Sequence, residues 1–287
     1  MPIKRVLQKI EQAIPSGPYT LRELLFWPWL ASLDVVDALV GKRDPLIPPR
    51  RMRFIGGGDF HAVGREFLRH FIELGGLRPE QDVLDVGSGL GRMAVPLTTY
   101  LSPSAEYRGL EVVEIGVRWC RRAVTPRFPN FQFIQADVRN ERYNPEGRFA
   151  ASEYRFPFDD ESFDFVFLTS VFTHMYPRDV AHYLQEIARV LRPGGRCFAT
   201  FFILTDEARR LMTEDATRLN FRVAVDGAWI TNQSNPEGAI AFDELSVRSM
   251  HADMGLEIIE PIHFGSWSGR RNSASFQDIV VSVRRPA

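Results

Sequence analysis

The run Val83-Leu84-Asp85-Val86-Gly87-Ser88-Gly89-Leu90-Gly91 constrains this chain more than any other feature. Its first four residues have the make-up of a buried strand, and three alternate glycines then turn the chain into a helix. A turn of this kind presents unpaired helix amides, and without Cβ atoms its backbone can come close to a ligand. Two cofactor classes use one. A dinucleotide site wants G-x-G-x-x-G, with its third glycine at position 92. Here that position is Arg92 and the third glycine is Gly91, so the spacing disfavours NAD.

From residue 82 to 202 short β-rich runs alternate with helical patterns. Strands are expected over 82–86, 105–111, 131–135, 163–168 and 196–202, and helices over 91–101, 114–124 and 178–191. The last helix is the clearest, with Val180, Tyr183, Leu184, Ile187, Val190 and Leu191 on one stripe before Arg192-Pro193-Gly194-Gly195 stops it. Strand and helix in alternation predict an α/β chain, a doubly wound parallel sheet with helices on both faces. Two further strands, 256–264 and 276–283, are joined by too few residues for a crossover helix and should pair antiparallel.

Chemistry-bearing residues fall at the expected strand ends. Glu111 closes the second strand about twenty residues past the glycines, where a carboxylate can accept both ribose hydroxyls. Asp137 follows the third strand and could accept an adenine amino proton. Glycine turn, Glu111 and Asp137 together describe a nucleoside site that needs no phosphate neutralisation.

The runs VLDVGSGLGR (83–92), GLE (109–111), QADV (135–138), FDFVFLTSVFTH (163–174) and RVLRPGG (189–195) resemble the class I S-adenosylmethionine-dependent methyltransferases. The resemblance extends over residues 67–283 and implies a Rossmann-like, mostly parallel seven-stranded sheet with an antiparallel last strand. It implies S-adenosyl-L-methionine as cofactor and S-adenosyl-L-homocysteine as product. By the same resemblance Gly87, Ser88, Gly89 and Gly91, helped by Asp85, hold the amino-acid part. Glu111 and Val112 take the ribose, Asp137 and Val138 flank the adenine, and Leu168 or Thr169 faces the methyl-bearing side. Asp85 could equally serve only to hold the loop amides, and Asp137 only to cap the turn after it.

Methyl transfer from a sulfonium needs mainly alignment and exclusion of water, with a base where a hydroxyl must lose its proton. His174, six residues past Leu168, is the candidate base; its duller role is to line the pocket or cap a helix. Three segments could choose the acceptor: 138–158 with Tyr143, Tyr154 and Arg155; 226–242 with Trp229; and 265–271 with Trp267. Trp267 could also simply pack its hairpin. No histidine or cysteine spacing suggests a metal, and Asp159-Asp160-Glu161 reads as a solvated turn.

The chain has 35 Lys plus Arg against 36 Asp plus Glu, a net −1, which removes the simplest case for a nucleic-acid partner. After the fourth strand it reads Thr169-Ser170-Val171-Phe172, without the Asn/Asp-Pro-Pro-aromatic run of families that methylate a base's exocyclic amine. No run is apolar enough to span a membrane, and a cytoplasmic location is the expectation. Residues 1–60 read as a helical extension and linker that packs on the main domain, acts as a lid carrying Met52 or Phe60, forms a homodimer contact or lies on a membrane surface, the last weakened by Pro28 and mixed charges. Residues 61–287 then make the catalytic domain, with a substrate-facing insertion near 213–242. The expectation is methyl transfer to a small-molecule acceptor, oxygen before nitrogen or carbon, on a secondary metabolite or a hydroxylated, sugar-like compound. Its rival is a cofactor-binding scaffold without turnover.

Overall fold

The computed structural model describes residue 29 and residues 31–36, 44–52, 58–141, 143–214 and 217–285. Most of the proposed 1–60 extension, including Leu21, Leu24, Leu25, Pro28, Leu39 and Val40, lies outside the described residues. Residues 31–36 are helical, and there Asp34 accepts a bond from the Arg50 amide at 2.9 Å.

The chain forms a seven-stranded sheet in the order β10-β11-β5-β4-β1-β2-β3. Its strands are β1 (Val83–Val86), β2 (Tyr107–Glu111), β3 (Phe131–Gln135), β4 (Phe163–Leu168), β5 (Leu191–Phe201), β10 (Leu256–Ile258) and β11 (Asp278–Arg284). β1 pairs β4 and β4 pairs β5 in parallel, whereas β11 runs antiparallel to both β5 and β10. The antiparallel ending is as expected, although β10 stops at Ile258 and the 259–277 connection is longer than the sequence implied; it holds a 3-10 turn at Ser266–Ser268 and no crossover helix.

Helices α1 (Phe60–Glu73), α2 (Ala94–Leu97), α3 (Glu114–Ala123), α4 (Pro177–Val190), α5 (Asp206–Thr213) and α6 (Glu244–Asp253) complete the regular structure. α4 buries Val180, Tyr183, Leu184, Ile187 and Val190, the stripe that its period dictates. α2 is much shorter than the 91–101 helix expected. Gly91 has φ +80° at its head, and Thr98 and Thr99 turn their hydroxyls onto the Val95 and Pro96 carbonyls at its tail. Such local bonds compete with helix propagation.

The chain divides into two compact units. One comprises the described residues up to 68 with 88–100 and 109–150; Phe60, Leu90, Val95 and Val113 are a buried cluster there. The other comprises 69–87, 101–108 and the described residues from 151 onward. In it Phe71 packs on Phe167 and Phe198 with ring centroids 4.4 and 4.9 Å away. Each of these fully buried rings contributes about 2–3 kcal/mol of burial.

The insertion expected near 213–242 holds strands rather than a plain loop. β6 (Ile203–Leu204), β7 (Val223–Val225), β8 (Ala228–Ile230) and β9 (Ile240–Asp243) make a second sheet in the order β6-β9-β8-β7. Asp226-Gly227 is the hairpin turn, both residues at positive φ, which the two-residue Asp-Gly signal favours. Among the described residues, no helix is long and apolar enough to cross a membrane.

Candidate functional site

In the first unit the glycine turn is held by the strand-end acid. Glu111, 4% exposed, accepts from the Gly89 amide at 2.6 Å through Oε2 and from the Val113 amide at 2.8 Å through Oε1. Burial pushes its pKa up against the pull of those two amides. Each carboxylate oxygen keeps lone-pair capacity beyond the amide it accepts, so ribose hydroxyls remain compatible partners. The clamp fixes how the turn presents its backbone. Ser88 beside it is 5% exposed, and its Oγ has no hydrogen-bond partner among the described residues, a polar atom suited to a polar ligand.

The turn needs its glycines. Gly87, Gly89 and Gly91 have φ of +87°, +55° and +80°, the left-handed region that other residues rarely occupy. Gly116, in the first turn of α3, was not singled out from sequence. A Cβ there would lie 2.4 Å from the Gly89 carbonyl oxygen, so α3 approaches the turn only because residue 116 has no side chain. A glycine inside a predicted helix is the signal that could have found it.

Asp137 lies at the head of the loop after β3, with Val138 buried beside it. Its Oδ1 accepts from the Arg148 amide at 3.0 Å and its Oδ2 from Arg148 Nε. Those two bonds hold its pKa below the ordinary carboxylate value. The duller role of capping the following loop is thus present, and adenine contact would have to share or displace Arg148. Val112 and Tyr143 are half-buried and pack against the Phe60 cluster. Phe60 itself is 4% exposed within that cluster, and Met52 lines a cavity of about 800 Å³ with Trp119 and Arg118.

In the second unit Asp85 is buried in β1 and accepts from the Tyr107 hydroxyl at 2.5 Å, a partner not foreseen from sequence. Leu168 is buried at the end of β4 and Thr169 half-buried after it. Ser170, at φ +59°, donates its amide to Thr200 Oγ1 at 2.8 Å and its hydroxyl to Gln277 Oε1 at 2.9 Å. His174 ends a short 3-10 turn and is half-buried. Its Nδ1 lies 2.7 Å from the Glu237 carbonyl oxygen, which can only accept. Nδ1 therefore carries the proton of the neutral ring, and the lone pair is on Nε2.

Two aromatic candidates need correction. Trp267 is fully buried, donates Nε1–H to Asp278 Oδ2 at 2.8 Å and packs against Phe202 and Phe221. It is a core residue and cannot stack on an acceptor. Tyr154 is likewise 8% exposed and packs on Phe156, while its carbonyl meets His182 Nε2 at 3.0 Å. Arg155 is exposed near Asp160, at 3.7 Å. Trp229 is half-buried, donates to Asp243 Oδ2 at 3.1 Å and lies 4.7 Å under the Arg209 guanidinium. Among the described residues no three His, Cys, Asp or Glu side chains are grouped to hold a metal.

A methyltransferase-domain family model matches residues 84–199. The phthiotriol/phenolphthiotriol dimycocerosates methyltransferase of Mycobacterium tuberculosis is 37% identical over 124 residues, 43% of this chain and 37% of that protein. The fatty-acid O-methyltransferase of Mycolicibacterium smegmatis is 36% identical over 129 residues, 45% of this chain and 38% of that protein. The chain thus spans well under half the length of these relatives. Among solved structures, a Pyrococcus horikoshii protein aligns with TM-score 0.54 at 17% identity, covering 80% of this chain and 93% of that one. The Burkholderia thailandensis 1,6-didemethyltoxoflavin-N1-methyltransferase aligns with TM-score 0.50 at 16% identity over 91% and 89%. These likenesses support the fold. The family model, with the strand order and the glycine turn clamped by Glu111, marks residues 84–199 as a methyltransferase domain.

Proposed function

We propose that the chain transfers the methyl group of S-adenosylmethionine to an oxygen atom of a small-molecule acceptor. The observation that carries this reading is the buried Glu111 clamp at the end of β2, which fixes the Gly89 amide in the turn after β1. The backbone at Gly87, Ser88, Gly89 and Gly91 would hold the amino-acid part, Glu111 and Val112 the ribose, and Asp137 and Val138 the adenine. Asp85, fixed by Tyr107, would support the turn. When bound, the cofactor supplies a methyl group on a positively charged sulfur.

The residues of this chain align the acceptor and handle its proton. Leu168 and Thr169 end β4, the strand next to β1 in the sheet. His174 Nε2, the lone-pair nitrogen, would take the proton of a hydroxyl as its oxygen attacks. The Glu237 carbonyl keeps Nδ1–H in place and would stabilise the imidazolium that forms. Tyr143, Arg155 and Trp229 remain as acceptor contacts. Oxygen is favoured because one of the matching relatives is named an O-methyltransferase. The test is incubation with S-adenosylmethionine and a panel of hydroxylated acids, alcohols and sugars, read as the mass gain of one methyl group. His174→Ala should lower kcat by about 10²–10⁴-fold with cofactor affinity unchanged. Cofactor binding with no methylated product across the panel would favour the scaffold reading, and equal kcat at every pH would remove His174 as base.

A further inference from the structure

A cavity of about 710 Å³ opens in the second unit beside the connection from β10 to β11. α5 lines it through Glu207 and Leu211, and Ile262, Phe264, residues 269–272 and Ala274 supply other walls. Its volume suits a small ligand.

Arg270 is the unusual member of that lining. Its side chain is 10% exposed, so nine-tenths of a charged group lies out of water. Nε donates to Glu207 Oε2 at 2.7 Å, Nη2 donates to Thr205 Oγ1 at 2.5 Å, and the guanidinium sits 4.3 Å over the Phe264 ring. Nη1 is buried and donates to nothing among the described residues. A buried guanidinium nitrogen without an acceptor is costly, and native structures seldom keep one without a use. The neighbouring carboxylate does not relieve it. Asp278 accepts instead from the Ile203 amide, the Gly265 amide and Trp267 Nε1.

The remaining lining is also short of acceptors. Arg271 and Asn272 are exposed and make no hydrogen bond or ion pair among the described residues, and Asn272 is held at φ +63°. His263 adds no charge near neutral pH, because burial and His70 push its pKa down. Two arginines therefore stand against the single carboxylate of Glu207 in this lining, leaving one positive charge. The 259–277 connection also reaches the strand ends. Gln277 accepts from the Ser170 hydroxyl just after β4, and Asp278 is paired with Phe201 at the end of β5.

We infer that this cavity binds a small carboxylic acid, its carboxylate held by Arg270 Nη1 and Arg271 and its apolar stem lying against Leu211, Ile262 and Phe264. The ligand class is then a carboxylic acid with an apolar stem. The planar fork of arginine suits a carboxylate, and a monoanion matches the excess charge. The inference concerns the second unit alone and goes beyond the proposed methyl transfer.

The test uses 10-hydroxydecanoate and 1,10-decanediol, which share a chain and a terminal hydroxyl and differ in the carboxylate. The full chain is titrated calorimetrically with each, with and without S-adenosylhomocysteine. The acid should bind at least about tenfold tighter than the diol, with the margin narrowing as salt is added. Arg271→Gln should remove most of that margin. Ala274→Trp, which fills the cavity without changing charge, should weaken the acid by about tenfold or more. Both positions are exposed, so the fold should tolerate either change. Equal affinity for acid and diol, or acid binding untouched by both variants, overturns the inference. A chain that binds S-adenosylhomocysteine but neither probe overturns it too, while the proposed function stands. Arg271-dependent binding of the acid without any binding of S-adenosylhomocysteine upholds the pocket and removes the proposed function.

Discussion

The glycine turn and the 259–277 connection are both short of regular structure, yet they are built in opposite ways. Around the turn, the backbone is what is presented: one buried carboxylate holds two amides, and glycines at positive φ leave that backbone bare. In the connection, side chains bear the structure. Trp267 and Asp278 lock its inner face, while Arg270 and Arg271 line its outer one. Backbone chemistry demands particular residue types at particular spacings. Side-chain packing accepts many solutions, and which ring ends inside is decided by partners far off in sequence.

The sharpest way to break the comparison is Gly116→Leu. A side chain there runs into the Gly89 carbonyl oxygen, so the turn must shift and cofactor affinity should fall by more than about 100-fold, with stability reduced by about 1–3 kcal/mol. Calorimetry and thermal unfolding would read the two effects separately. An unchanged affinity would show that α3 does not set the turn.

Trp267→Phe probes the other region. It removes one of the donors to buried Asp278 and leaves a void among Phe202 and Phe221, for about 2–3 kcal/mol of stability. If Trp267 is a core residue, KM for the acceptor should be unchanged in the fraction that stays folded. A raised KM with full stability would return it to the acceptor site.

The contrast explains what could be read in advance. β3 and β4 fall on their expected bounds, and the α4 stripe buries as its period demanded, because periodicity is fixed by geometry that the sequence carries locally. Gly89 and Glu111 were singled out for the same reason, both lying within one βαβ unit, but the bond between them was not foreseen. Tyr107, which holds Asp85, was not: a tyrosine in a strand gives no hint of where its hydroxyl ends. Tyr154 is buried where an acceptor contact was expected, and for Trp267 the packing alternative is the one the structure shows, because long aromatic-bearing connections look alike whether they face a ligand or the core. The short β6–β9 sheet was hidden in strands of two to four residues, too brief for a period to show.

A smaller effect tests the core of the second unit. His251 is fully buried, with its Nδ1 on the Val247 carbonyl at 2.8 Å, and burial pushes its pKa down to about 4. Because the folded pKa is depressed, the stability it allows is complete above about pH 6.5 and is lost as pH falls toward 4. At pH 5 the loss should be about 2 kcal/mol, and His251→Leu should abolish that part of the acid slope in urea unfolding. An identical slope in the variant would place the titrating group elsewhere.

The central claim is that a buried acid shapes a backbone cradle for S-adenosylmethionine. Calorimetric titration of S-adenosylhomocysteine into the unaltered chain and into Glu111→Ala tests it most directly. The account predicts one-to-one micromolar binding that weakens by about 30-fold or more when the carboxylate is removed. Equal affinity in the two proteins, or none in the unaltered chain, would contradict it.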